Sequence, residues 1–517
     1  MSNTSQNQSK RPLRWWPCLL ILSVATIAIL VVQSLSEFPF QRRNLISLPI
    51  GAGALLLLIF WWLFFSRAST KVRLLSLLGL VLLVGGGFAT LRIHGVTGDL
   101  IPIIEFKGSG KFRLSSVRAS AGTTNQALRR VPGEYPQFLG PNRTGILTGP
   151  SLDSDWGLNP PVELWRKPVG VAWSGFAVVG DRALTLEQNG EQEQVLCFQA
   201  LTGALLWTAT NTGRYANPIG GEGPRSTPTV ADGRVFTLGA NGWLQCLDLS
   251  TGRRLWGTNV VSLTGASVPE WGGSGSPLVA KGRVYVGAGG RNNQSLLIFD
   301  VGTGDLIGAG GSGAIDYASP SLVTLAGQEQ ILVVNHHEIA AHNPLTGAQL
   351  WKRTWGTGFP LVANPIVVSS NRFLVTAGYG VGAELFEIQP DSSGVLGPKS
   401  VWVSKRLKAK FSNPVLREGY VYGLDDGIMA CLDIRDGSQK WKDGRYGHGQ
   451  GVWINDLYLL MAENGEMILM RPTAAGSGEL GRYRAFKGKT WNPIALAGDL
   501  IFARSDQEAA CFRLVVH

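Results

Sequence analysis

Basic and aromatic residues stand at one recurring place in this chain, the short stretch ahead of a repeated strand. In order they are Glu222 and Arg225; Glu270 and Trp271; Tyr317; Lys410; Arg445, Tyr446, His448 and Gln450; and Lys489, Trp491 and Asn492. Arg225, Lys410, Arg445 and Lys489 together could receive an anionic ligand, a tricarboxylate or an acidic polymer, through charge-assisted hydrogen bonds. Trp271 or Trp491 offers a face on which a planar ring stacks. Converging polar groups among aromatic walls are what a ligand pocket requires. The same groups would otherwise only cap strand ends and hydrate an opening.

Other chemistry finds less support. His336, His337 and His342 are the densest histidine group, but neighbours on a strand point to opposite faces. No carboxylate is spaced to complete a metal site, so no metal ligand is expected. Gly-x-Ser-x-Gly, Walker and His-Glu-x-x-His motifs are missing from the sequence. Gly85 to Gly87 lie in an apolar stretch and Gly220 to Gly223 precede no helix, so neither run cradles phosphate. No catalytic residue is assigned.

The elements that must position these residues are repeats. The phrase Cys246-Leu247-Asp248-Leu249-Ser250-Thr251-Gly252-Arg253-Arg254-Leu255-Trp256 recurs in full at Cys197 to Trp207, Ala341 to Trp351 and Cys431 to Trp441. Eroded copies stand at Ile298 to Gly308, Leu385 to Trp402 and Met467 to about Leu480, and a half copy at Ala510 to Leu514. About 25 residues upstream of most copies is a polar-Pro phrase followed by alternating apolar residues: Thr227-Pro228, Ser276-Pro277, Ser319-Pro320, Asn364-Pro365, Asn413-Pro414 and Asn492-Pro493. Period-two alternation and glycine turns give four antiparallel strands per unit, one propeller blade. Val162 to Trp165 is an orphan fourth strand and Cys511 to Leu514 an orphan third, so pairing them would close the ring and remove exposed sheet edges. The prediction is an all-β, eight-bladed propeller over residues 134–517, with the tryptophans of the fourth strands packed between blades.

A membrane anchor is expected ahead of it, in residues 1–94. Apolar stretches at about 17–35, 45–65 and 74–91 approach the ~20 residues that cross a hydrocarbon core. Three in series argue for retained transmembrane helices rather than a cleaved signal. Lys10, Arg11, Arg14, Arg67, Lys71 and Arg73 place the propeller on the periplasmic side of the cytoplasmic membrane by the positive-inside rule, against which Arg42 and Arg43 stand. A linker is expected over 95–133. The formal net charge of +11 is spread along the chain, and with no accompanying motif it excludes nucleic acid as the expected partner. Cys197, Cys246, Cys431 and Cys511 share one repeat position and are expected to be buried thiols.

The blade phrase resembles the repeat of pyrroloquinoline-quinone (PQQ)-type propellers, the group containing quinoprotein alcohol dehydrogenases and BamB. The phrases Tyr135 to Gly145, Tyr446 to Gln450 and Lys489 to Pro493 are similar to those of bacterial membrane-anchored members of unassigned role. The resemblance implies the fold, and departs from the dehydrogenases in lacking a vicinal Cys-Cys pair. Function is therefore read as binding of a protein, peptide or envelope polymer without catalysis and without a cofactor, with the bilayer as a further partner through the helices. The alternative is a PQQ- and Ca²⁺-dependent oxidoreductase acting on an alcohol or sugar.

Overall fold

The computed structural model describes residues 14–35, 38–107, 131, 133–290 and 292–517. It divides into two compact units, residues 1–111 and 112–517. The smaller unit holds three helices, α1 (Trp16–Ser34), α2 (Phe40–Phe64) and α3 (Thr70–Thr90), each long and apolar enough to cross a membrane. α2 and α3 begin four to five residues before the expected apolar stretches because polar first turns, Phe40 to Asn44 and Thr70 to Arg73, extend them. Gln33 at the end of α1 donates to Asn44 Oδ1 and Ser47 Oγ of α2. The expected linker starts late. Residues 91–106 form an antiparallel hairpin of β1 (Leu91–Val96) and β2 (Pro102–Phe106), in which alternating Ile and charged residues pair across the strands. The rest of that linker, residues 108–130 and 132, lies outside the described residues.

In the larger unit eight four-stranded antiparallel sheets follow one another along the chain. The inner strand of each blade is short, as in Thr229–Ala231, and the outer strands are longer, as in Leu205–Thr212. The eighth blade is shared: Glu508–Arg513 pairs antiparallel with Val162–Pro168, Cys511 opposite Trp165. The orphan strands thus find each other as expected.

The spacing of Thr-Gly and Trp in the repeat has a physical cause. Gly252 has φ +72°, and a Cβ there would stand 2.5 Å from the Trp207 ring of the preceding blade. Trp207 Nε1 then donates to the carbonyl of Leu249 in the same turn at 3.0 Å. Trp165, Trp256 and Trp402 repeat this joint with Gly203, Gly304 and Gly437 and with the carbonyls of Ala200, Val301 and Ile434. Only glycine allows both the left-handed turn and the close approach. Where the fifth blade carries an insertion in place of that turn, Trp351 of the fourth instead donates to Gln330 Oε1 of its own blade. Cys197, Cys246, Cys431 and Cys511 are buried.

One end of the central channel is strapped. Tyr135 bridges Val178 of the first blade, the Pro136 carbonyl accepts from Val230 N–H of the second, and Ile146–Leu147 adds a parallel strand inside Gln450–Ile454 of the seventh. Between them the Arg143 guanidinium donates to Gln137 Oε1 and to the carbonyls of Pro277, Ser276 and Pro320, at 3.2–3.4 Å. A cavity of about 370 Å³ remains beside it, walled by Leu278, Leu322, Ile366 and Leu416.

Candidate functional site at the open end of the channel

The polar residue of each polar-Pro phrase proves to be a fastener. Apart from Gln450–Ile454, which Ile146–Leu147 flanks, the inner strands lack a paired strand on the axis side, so the N–H groups at their starts need other acceptors. Thr227 N–H donates to Ser276 Oγ, Ser276 N–H to Ser319 Oγ, Ser319 N–H to Asn364 Oδ1 and Asn364 N–H to Asn413 Oδ1, all at 2.8–2.9 Å. Asn492 Nδ2 joins the eighth blade to the carbonyls of Ala172 and Ser174 in the first. This belt fastens blades two to six to one another and the eighth blade to the first. Asn492 is thus a member of the belt.

Loops that precede the inner strands emerge on the far side of the belt, and they bring most of the expected residues together. Trp173 and Trp491 lie 4.9 Å apart, Trp491 and Phe411 5.0 Å, Phe411 and Trp271 6.3 Å, and Trp271 and Tyr379 6.4 Å between ring centroids. Tyr379 stacks on Phe359 at 5.2 Å, Tyr317 on Trp271 at 5.7 Å, and His448 meets Phe411 edge-on at 5.4 Å. A continuous aromatic surface results, built from seven blades.

The cations sit on ring faces. Lys489 Nζ is 3.7 Å from the centroid of Trp491 and 4.7 Å from that of Trp173. Lys410 Nζ is 5.2 Å from Tyr379, and the Arg225 guanidinium is 4.7 Å from Tyr215. Arg225 also donates to the carbonyls of Gly220, Gly221 and Gly223, which fixes its own loop. Burial lowers the Lys489 ammonium to about 8, with Asp506 and Glu463 opposing and Arg225 assisting. Arg225 is lowered to about 10 by burial, and burial holds the hydroxyls of Tyr317 and Tyr379 well above the usual phenol range. Glu463 ties two loops together, accepting from Trp491 Nε1 at 2.7 Å and from His448 N–H at 3.2 Å. The indole N–H groups of Trp173 and Trp271 are sealed from solvent without an acceptor.

Four expected residues stand elsewhere. Glu222 pairs with Arg214 at 3.3 Å in a small rim hairpin. The Glu270 side chain is exposed, and its carbonyl accepts from Tyr215 Oη and Asn217 Nδ2. Arg445 is the last residue of an outer strand that runs longer than expected, Gln439–Arg445. Tyr446 folds back between blades six and seven, its hydroxyl donating to Glu479 at 2.7 Å under the Arg482 guanidinium. Gln450 bonds the Phe411 carbonyl and so braces the aromatic surface from below. Of the histidines, His336 lies 3.4 Å from Asp316 Oδ2 and against His337, while buried His342 meets the Gly347 carbonyl. Trp173, Phe359, Tyr379, Phe411 and Glu463 escaped the sequence reading. Trp173-Ser174 stands in the same register as Trp491-Asn492, a signal hidden because Gly175 replaces the proline.

Residues 161–314 and 335–490 match the family profile described as outer membrane protein assembly factor BamB. The chain belongs to the BamB family. Among relatives of this BamB-family chain, the outer membrane protein assembly factor BamB of Moranella endobia (strain PCIT) is 24% identical over an alignment of 396 residues that covers 70% of this chain and 90% of that protein. Two quinohemoprotein alcohol dehydrogenases share the propeller fold. That of Comamonas testosteroni is 13% identical with a TM-score of 0.51 over 75% of this chain and 81% of its own. That of Pseudomonas putida HK5 is 12% identical with a TM-score of 0.52 over 74% and 80%. This BamB-family propeller is joined to three apolar helices, a membrane-associated architecture.

Proposed function

We propose that this protein is a non-catalytic docking propeller. Its helices anchor it in the cytoplasmic membrane, its propeller lies on the periplasmic side, and the aromatic mouth binds a segment of an envelope protein. The observation that carries the reading is the continuous ring surface from Trp173 to Phe359, on which Phe359 is 51% exposed. Large aromatic faces with cations already seated on them supply contact area at little entropic cost, which suits an extended partner rather than a reacting small molecule. The BamB relative's name, an assembly factor, agrees in kind.

The test places a photo-crosslinking amino acid at Phe359 and, as a control, at exposed Leu345, which lies in a third-to-fourth-strand turn at the opposite end of the channel. Adducts with one envelope protein at Phe359, lost in Trp271→Ala and absent at Leu345, are expected. Stoichiometric binding of PQQ with Ca²⁺ and dye-linked oxidation of an alcohol, abolished by Lys410→Ala or Lys489→Ala, would replace this reading with the quinoprotein one.

A further inference from the structure

The hairpin that follows α3 turns its apolar face outward. Ile93 pairs with Ile104 and Leu91 with Phe106 on one face, and Ile93, Ile104 and Phe106 are 67%, 62% and 66% exposed. The other face carries Arg92 and Glu105, 3.1 Å apart, and His94, 3.6 Å from the same carboxylate; these side chains are 33%, 30% and 21% exposed. A two-stranded hairpin in water is marginal at best and gains only by burying its apolar face. This one buries the polar face more than the apolar one.

Its depth can be read from α2. Asn44 Nδ2 donates to the Asp99 carbonyl in the hairpin turn at 2.9 Å. Leu100, Ile101 and Pro102 then wall an apolar cavity of about 460 Å³ against Ser47, Leu48 and Gly51 of α2. α2 carries Arg42, Arg43 and Asn44 near its start and becomes predominantly apolar from Leu45. Gly51 lies six residues further on, about 9 Å deeper at ~1.5 Å per residue. Elements in the membrane interface bury their apolar face to about 5–10 Å.

We propose that the hairpin Leu91–Phe106 is embedded in the headgroup–acyl boundary, with Ile93, Ile104 and Phe106 against lipid acyl chains and a chain end filling the groove between its tip and α2. Lipid is the occupant because β1 begins at the residue after the last of α3, so the exposed face continues the surface of a membrane-spanning helix. The hairpin stays at the boundary because its edge strands keep N–H and C=O groups that the hydrocarbon core would leave unsatisfied. The Lys107 ammonium, donating to the Phe88 carbonyl, covers one bare carbonyl at the end of α3. The anchor is then three helices and a wedge.

The test uses the full chain with Cys18→Ser and one cysteine at Ile104, or independently at Ile93, carrying an environment-sensitive fluorophore; the remaining cysteines are buried. Vesicles are phosphatidylethanolamine with phosphatidylglycerol, with or without lipids brominated near the top of the acyl chain. Brominated lipid should quench both labels about twofold, and iodide should quench them several-fold less than a label at exposed Lys399. Iodide quenching equal to that at Lys399 would mean the face is in water. Resistance to both quenchers would mean protein covers it. Either result overturns the proposal.

Discussion

Cys511 and Trp165 face each other across the seam of the eighth blade, one in the last strand of the chain and the other near the start of the propeller. The Trp165 ring also packs on Phe198 and Phe502 and against Gly203, so it joins the seam to the first blade. Pairing the two ends completes the eighth blade and leaves neither orphan strand without its partner.

Trp165→Ala in the isolated propeller should therefore cost about 3–5 kcal/mol, the usual penalty for emptying a buried tryptophan site. Trp441→Ala, at a more exposed position, should cost less. Denaturant midpoints of the two variants check this, and equal losses would show that the seam is no more critical than any other joint.

Arg143 reaches carbonyls of blades three and four from a strap that also pairs with blade seven. No carboxylate lies within ion-pair distance of it among the described residues, and burial lowers its guanidinium to about 10. Arg143→Ala should lower stability by about 1–3 kcal/mol through unpaired carbonyls. Arg143→Lys should recover little of it, since an ammonium lacks the planar fork. Recovery by lysine to within experimental error would count against the fork geometry.

Lys489 bears on stability in alkali. Its ammonium titrates near 8 in the folded protein and near 10.5 in the unfolded chain. Between those values the unfolded state binds more protons, so this group makes stability rise with pH from about 8 to 10.5, and below 8 the fold carries the full burial penalty. The Tm difference between the native protein and Lys489→Met should favour the variant at pH 7 and shrink as pH rises. A difference independent of pH would place the ammonium in a well-compensated site.

Asp316 acts in the opposite sense. Burial raises its carboxyl to about 7, while it accepts the Leu361 N–H at 3.0 Å. Between about 4 and 7 the folded state binds more protons, so stability from this group falls as pH rises through that window. Asp316→Asn should stabilise more at pH 8 than at pH 5, read from Tm at the two values. A variant less stable at pH 8 than at pH 5, relative to the native protein, would contradict this assignment.

Much of the fold was legible because each repeat states its own contacts. Glycine and tryptophan keep their spacing where a turn of one blade meets a ring of the last, and the two orphan strands announce their pairing by what each lacks. The mouth was legible in part: Trp271, Lys410, Lys489 and Trp491 could be placed because they precede a recognisable strand. Tyr379 and Glu463 could not, because they come from the turns between second and third strands. An even number of strand passes returns those turns to the same face, and only the closed ring shows them meeting residues from other blades. The extent of a strand is equally invisible in the repeat, which is why Arg445 and Tyr446 were misplaced. The hairpin after α3 had alternating residues in plain view. Which of its faces would be buried depended on contacts with α2, and no local pattern encodes a contact between segments this far apart.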